Sequence, residues 1–215
     1  MPAPEKLLVA SQRQQGVKPT GALNRAFDVF CTATGLLLLS PVFGVIAIAI
    51  KLDDGGSVFF RQTRAGRNFR PFRVCKFRSM VTGAEQAGLL TFPGDSRLTR
   101  VGRWLRKYKL DELPQLFNVL NGDMQLVGAR PEVERYVRIF RSEYAVILQE
   151  RPGITDPASL AYRREEETRS ASRVEDQYVN EILPAKLKLS LDYQMRRTFL
   201  TDIGILLKTA FRLIA

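Results

Sequence analysis

"VFCTATGLLLLSPVFGVIAIAI", Val29 to Ile50, decides what kind of fold this chain can adopt. No charged side chain interrupts it. As one straight helix it would reach roughly 33 Å, enough to cross a bilayer. Ser40-Pro41 sits at its middle. Pro41 has no N–H, and its ring crowds the carbonyl four residues back. Ser40, before it, is pushed away from helical geometry. A kink or a reversal is expected there, and the Ser40 hydroxyl could satisfy backbone groups that the proline frees. Three readings compete: a kinked membrane-spanning helix, a re-entrant helix-break-helix hairpin that enters and leaves on one face, and a buried hairpin of a soluble protein. Charge separates the first two. Lys6, Arg13, Lys18 and Arg25 precede the run, and Lys51, Arg61, Arg64 and Arg67 follow it. Basic flanks mark the cytoplasmic side. Both flanks are basic, which favours re-entry. A cleaved signal peptide does not fit, because the run starts late and ends in bulky residues without a small-x-small site.

Around this run the expected organisation is a mobile tail over 1–20, a re-entrant membrane hairpin over 21–52 and a cytoplasmic catalytic domain over 53–215. The 215 residues carry a formal charge of +11. Such an excess draws polyanions, whether nucleic acid, anionic lipid headgroups or phosphorylated small molecules. There is no histidine. Histidine triads, proton relays and ligand sets are therefore excluded, and acid–base work falls to Asp, Glu, Lys, Tyr or Cys. Cys31 and Cys75 form no C-x-x-C pair. They argue against a zinc site or a disulfide framework and fit a reducing compartment.

After the run comes "SVFFRQTRAGRNFRPFRVCKFRSM", Ser57 to Met80, in which Arg/Lys and Phe/Val interleave. Two strands joined at "RAGRN" are expected. One face would meet a core, and Lys76 and Arg78 on the other would bind phosphate or simply face solvent. The pattern also suits single-stranded nucleic acid, but no RNP-like or OB-like motif accompanies it. Val101, Trp104, Leu105 and Tyr108 then mark one face of a basic helix suited to a membrane surface or a soluble core. Leu113, Leu116, Phe117 and Leu120 mark a second helix. Between them lie two adjacent acids, Asp111 and Glu112. Asp111 suits an N-cap ahead of Pro114 and would stay ionised there. Beside bound Mg²⁺, an ionised aspartate can also attack phosphorus. Ordinary capping remains the competing explanation.

Three stretches carry a family pattern: "FFRQTRAGRNFRPFRVCKFRSM" (59–80), "LTRVGRWLRKYKLDELPQLFNVLNGDMQLVGARPE" (98–132) and "RPGIT" (151–155). From about Leu23 to the C-terminus the chain closely resembles the bacterial sugar transferases, the small monotopic phosphoglycosyl transferases. The Ser40-Pro41 break matches that family's re-entrant helix. The resemblance implies transfer of a sugar 1-phosphate from a UDP-sugar to a polyprenyl phosphate, usually undecaprenyl phosphate, with release of UMP. It implies Asp111 as nucleophile through a covalent aspartyl-phosphosugar, Glu112 as the group that deprotonates or orients the lipid phosphate, and Mg²⁺ near Asp111. Lys76, Arg78, Arg106, Arg130 and Arg151 are the expected phosphate contacts. Arg130-Pro131 and Arg151-Pro152-Gly153 are expected in polar loops where backbone N–H groups also face phosphate. The implied setting is the cytoplasmic face of a bacterial inner membrane, among membrane lipids, with no nucleic acid partner. The sequence does not fix the oligomeric state, and a homodimer is compatible with it.

Two departures stand out. "GARP" (128–131) replaces the G-P-R-P of many members. After "RPGIT" the chain reads "DPASLAYRREEETRSAS", where many members carry a Gly-Leu or Gly-Trp segment and a Gly-Arg pair. The 156–172 segment is expected to shape the sugar pocket, so sugar identity stays open and no role carries over to Tyr162, Arg163 or Glu165. In the C-terminal third, Ile203, Leu206, Leu207, Ala210 and Phe211 form an apolar stripe that suits either a membrane or the core. The expected fold is α+β, mostly helical, resting on one leaflet. An inactive scaffold of the same fold and a basic nucleic-acid binder are the rival functions. The intact acids and arginines argue against the first, and the apolar hairpin against the second.

Overall fold

A computed structural model describes residues 21–163 and 172–214. The expected tail over 1–20 and Glu165 lie outside the described residues. The described residues are mostly helical and form two small sheets.

Helix α1 spans Ala22–Asp54 and contains Pro41. The helical backbone is not divided at Ser40-Pro41, where a break was expected. The reason is local. Pro41 deprives the Leu37 carbonyl of its N–H partner, and the Ser40 hydroxyl donates to that carbonyl at 2.8 Å. Both ends of α1 rest on the rest of the chain. Arg25 donates to the carbonyls of Val119 and Leu120 at 2.6 and 2.9 Å. Asp28 accepts from the Leu126 N–H. At the other end Ile46 and Ile50 join Phe77 and Leu105 in a buried cluster. Asp53 accepts from the Val101 N–H at 2.9 Å, and Asp54 pairs with Arg78. Between Thr32 and Ile46 no residue of α1 is buried. Leu37 and Leu38, in that middle stretch, are 74% and 72% exposed. So large an apolar surface marks a site of contact with lipid or protein.

Strands β1 (Phe59–Ala65) and β2 (Pro71–Phe77) form the expected antiparallel hairpin, with Phe59 opposite Phe77 and Ala65 opposite Pro71. Helix α2 (Arg100–Lys107) is capped by the Thr99 hydroxyl, which accepts from the Gly102 N–H at 2.9 Å. Its Leu105 is fully buried, while Trp104 and Tyr108 stay exposed. Helix α3 (Gln115–Asn121) buries Gln115, Asn118 and Val119, not the expected leucine stripe. Asn118 explains the choice. Its amide accepts from the Cys75 N–H and donates to the Arg73 carbonyl, both at 2.8 Å. It thereby satisfies the open edge of β2. Phe117 of the stripe instead meets Phe43 of α1, with ring centroids 5.8 Å apart.

Strand β3 (Gln125–Val127) is followed by α4 (Glu134–Ile139) and α5 (Arg141–Ile147), and pairs in parallel with β4 (Gly153–Thr155). Gly153 is thus part of a strand, not of the polar loop expected. Helix α6 (Pro157–Ala161) is capped by Asp156. Then come α7 (Val174–Gln177), a wide π turn (Tyr178–Ile182), α8 (Leu183–Arg196) and α9 (Phe199–Ile214). The largest core cluster joins Tyr136, Val137, Tyr144, Ile147, Leu183 and Leu187, among others. Helix α9 packs inward through Asp202 and Ile205 and leaves Leu207 and Phe211 of its apolar stripe exposed.

Candidate active site

The two acids sit in a 3₁₀ turn, Leu110–Glu112. Two features fix it. Lys109, just before, adopts the left-handed region at φ 58°, and Leu110 and Leu113 on either side pack against the Ile46–Phe77–Leu105 cluster. In so tight a turn successive side chains point roughly 120° apart. Asp111 opens on a cavity of about 180 Å³ between β2 and the 79–91 segment. Glu112 opens on another of about 170 Å³, bounded by α3, residues 154–163 and α9. Both also line a small polar cavity of about 80 Å³ that lies with them.

Asp111 is not an N-cap. Pro114 occupies that position, and no side chain among the described residues caps α3. Asp111 is 3% exposed, and its Oδ1 finds no hydrogen-bond partner among the described residues. Burial first, and then the neighbouring Glu112, push its pKa above the ordinary value, against the pull of Lys76, Arg106 and Lys109. Its ionised form is therefore less favoured than a helix cap would make it.

Glu112 is the reverse case. It accepts from Lys76 Nζ at 2.8 Å and from both terminal nitrogens of Arg130. Burial pushes its carboxyl up, but Arg130 and Lys76 outweigh burial and hold it well below the usual range. Burial in turn lowers the Lys76 pKa, which Glu112 partly offsets. Two adjacent acids are thus driven apart in character. One is masked by cations; the other lines a cavity and keeps one buried oxygen without a hydrogen-bond partner among the described residues.

The structure brings together most of the residues expected from sequence. Lys76, Arg78 and Arg106 line the Asp111 cavity. Lys76, Arg106 and Arg130 line the polar cavity with Arg64, Lys109 and Lys186. Arg78 is already committed. It holds Asp54 through two nitrogens and donates from Nε to the Ser57 carbonyl at 2.6 Å, fastening the end of α1 to β2. Arg106 donates to the Thr91 hydroxyl. The Pro131 carbonyl accepts from Arg64. Arg151 lines a different small cleft with Gln125, Glu150 and Arg197. Gly153 lies where β4 touches the Gly128 backbone. Neither of these two lines the cavities on which Asp111 opens.

Sequence reasoning missed Glu132 and its partners. Glu132 is buried, pairs with Arg64 at 2.8 Å and accepts from the Tyr178 hydroxyl. It stands next to Arg130-Pro131 in "GARPE", so the motif itself held the signal. Lys186 and Thr91 lay in no recognisable pattern.

The donor set also bears on metal binding. Among the described residues no three acids cluster to hold a cation by themselves. One carboxylate oxygen without a partner, beside a cavity suited to phosphates, fits Mg²⁺, which is usually bound by one or two carboxylates together with substrate phosphates and water.

A family model described as bacterial sugar transferase matches residues 20–215. The chain is 37% identical over 188 residues to the UDP-N-acetylgalactosamine-undecaprenyl-phosphate N-acetylgalactosaminephosphotransferase of Aeromonas hydrophila, covering 85% of this chain and 44% of that protein. It is 44% identical over 144 residues to the undecaprenyl-phosphate glucose phosphotransferase of Komagataeibacter xylinus, covering 63% of this chain and 27% of that one. It therefore spans less than half the length of these two relatives. With the exopolysaccharide production protein ExoY of Rhizobium meliloti (strain 1021) it shares 35% identity over 180 residues, covering 76% of this chain and 80% of that protein.

Proposed function

The chain belongs to the bacterial sugar transferase family, and on that footing we propose that it moves a sugar 1-phosphate from a UDP-sugar to undecaprenyl phosphate. The observation that carries this reading is Asp111, a buried acid in the wall of a cation-lined cavity, one of whose oxygens has no hydrogen-bond partner among the described residues.

The chemistry follows from charge. Both substrates are phosphate anions and repel each other. A covalent route separates their visits. An Asp111 oxygen attacks the phosphorus that bears the sugar. The bond from that phosphorus to the bridging oxygen breaks, and UMP leaves with the electron pair. An oxygen of the lipid phosphate then attacks the same phosphorus. The acyl phosphate bond breaks, the Asp111 carboxylate is restored, and a polyprenyl diphosphate sugar results. Lys76, Arg106 and Arg130 spread positive charge over the cavity where the phosphoryl group passes. Mg²⁺, held by Asp111, would supply further charge neutralisation at the diphosphate.

Glu112 acts by position. A carboxylate held well below its ordinary range is a weak base. It fixes Lys76 and Arg130 at the reacting phosphates and does not remove a proton. Glu112→Gln is accordingly expected to slow turnover while keeping the acidic limb of the pH–rate profile. That limb belongs to Asp111, whose raised pKa places it above the ordinary aspartate range, and the rate falls as pH drops through it because only the ionised form attacks. A stopped-time UMP assay across pH checks this. Loss of the limb in Glu112→Gln would reassign it to Glu112.

The setting proposed is the cytoplasmic face of a bacterial inner membrane. Helix α1 is long and apolar enough to cross a membrane. Its two ends nonetheless rest on the rest of the chain, through Arg25 and Asp28 at one end and Ile50 and Asp53 at the other. A re-entrant course reconciles these facts. Pro41→Ala returns a backbone N–H to the Leu37 carbonyl and should favour a straighter, spanning helix. Cysteine-accessibility labelling of the N-terminal segment should then show it moved across the membrane, and an unmoved segment would count against proline as the cause of re-entry.

The direct test of activity mixes purified protein, Mg²⁺, undecaprenyl phosphate and a panel of UDP-sugars, and measures UMP. Release with at least one sugar is expected. No release with any sugar, under conditions that support an active relative, would contradict the reading.

A further inference from the structure

We propose that the cleft bounded by α3, residues 154–163 and α9 receives the lipid phosphate acceptor, while the nucleotide sugar occupies the separate cleft on which Asp111 opens. The assignment rests on the transferase reading above and adds to it where each substrate binds.

The first argument is the division of the two acids. Asp111 lines the cleft beside β2 and the second cleft lacks it; Glu112 lines the second and the first lacks it. The second argument is chemistry. Leu113, Leu116, Ile154 and Leu160 give the second cleft apolar walls, and Lys109, Arg130, Arg163 and Arg212 place cations around them. A ligand with an apolar chain and an anionic end matches both features. A UDP-sugar has no such chain. It suits the first cleft, where Gln62, Ser79, Thr82 and Thr91 offer polar groups beside Lys76 and Arg106. The third argument is position. Leu116, in the wall of the second cleft, packs in one cluster with Cys31 of α1 and Leu206 of α9. On the same helix α9, Leu200, Leu207 and Phe211 are exposed. A prenyl chain leaving the cleft thus meets apolar surface. The small polar cavity has Asp111, Glu112, Arg130 and Lys186 in its wall, and Arg130 and Lys186 also line the second cleft. Those two cations place the lipid phosphate beside the reacting group.

The test separates the two half-reactions. Thr209 lines the second cleft, and Arg212 is an exposed cation on its rim. Thr209→Trp fills the cleft; Arg212→Glu reverses charge at its edge and gives up the bond from Arg212 to the Leu160 carbonyl. With UDP-sugar and no lipid, both variants should release the same single-turnover burst of UMP as the wild type. With lipid phosphate, KM for the acceptor should rise at least tenfold in Thr209→Trp and severalfold in Arg212→Glu. Thr82→Trp, in the first cleft, should lose the burst. A Thr209→Trp protein with wild-type melting temperature that loses the burst, or both variants with wild-type acceptor KM, would overturn the assignment. A photoreactive polyprenyl phosphate decides the matter without turnover. Cross-links within 154–163 and 206–212 are expected, and cross-links confined to 79–91 would refute the proposal. If the wild type released no UMP yet cross-linked as expected, the transferase reading would fail and the lipid site would stand.

Discussion

Asp111→Asn is expected to cut UMP release by at least about a thousandfold, because a carboxamide cannot replace a carboxylate as nucleophile. The substitution keeps the shape of the side chain in a buried turn. The loss should appear in the lipid-free burst as well as in steady turnover, since both need the first attack. Stability should move the other way. Folding raises the Asp111 pKa, so the native state binds a proton more readily than the unfolded chain. The resulting penalty is absent below the unfolded pKa and complete above the folded one. At neutral pH Asp111→Asn removes it, and the melting temperature should be equal to or higher than that of the wild type. Inactivity together with a lowered melting temperature would point to structural damage instead.

Gly153→Ala and Gly102→Ala are expected to produce large losses of stability. A Cβ at Gly153 would stand 2.1 Å from the Gly128 backbone nitrogen, and one at Gly102 would stand 2.0 Å from the Ser79 carbonyl oxygen. Neither neighbour is a flexible side-chain end that can swing aside. The contact at Gly153 is what lets β4 lie against β3, and that at Gly102 seats α2 on the segment after β2. Each substitution to alanine should cost about 3 kcal/mol or more, read as a shift in urea midpoint or as failure to accumulate folded protein. Gly204→Ala is the control. Nothing among the described residues lies within 4 Å of its would-be Cβ, and alanine should stabilise α9 by about 0.5–1 kcal/mol.

Much of this architecture was legible in the sequence because local patterns agreed with it. The β1–β2 hairpin followed from its alternation and its "RAGRN" turn. The α1 segment followed from its lack of charge, and the repair by Ser40 from proline chemistry. The acid pair and most of its cations lay in one long motif. What escaped needed tertiary contacts. The helical period placed Leu113, Leu116, Phe117 and Leu120 on one apolar stripe and gave no sign that Asn118 would be buried, as it is because β2 needs its amide. Gly153 looked like a loop glycine and is a packing contact between strands distant in sequence. Glu112 is pulled down by Lys76 on β2 and by Arg130, 18 residues past it, while Asp111 is pushed up by burial and by Glu112 itself. No spacing rule within the motif could supply that arrangement.

The central claim is a sugar phosphate carried for a time on one carboxylate. Peptide mass spectrometry after incubation with a productive UDP-sugar, without lipid phosphate, tests it most directly. The peptide bearing Asp111 should gain the mass of the sugar phosphate, and added undecaprenyl phosphate should remove it. An adduct on another side chain, or steady turnover in which UMP appears only after the lipid has bound, would contradict the account.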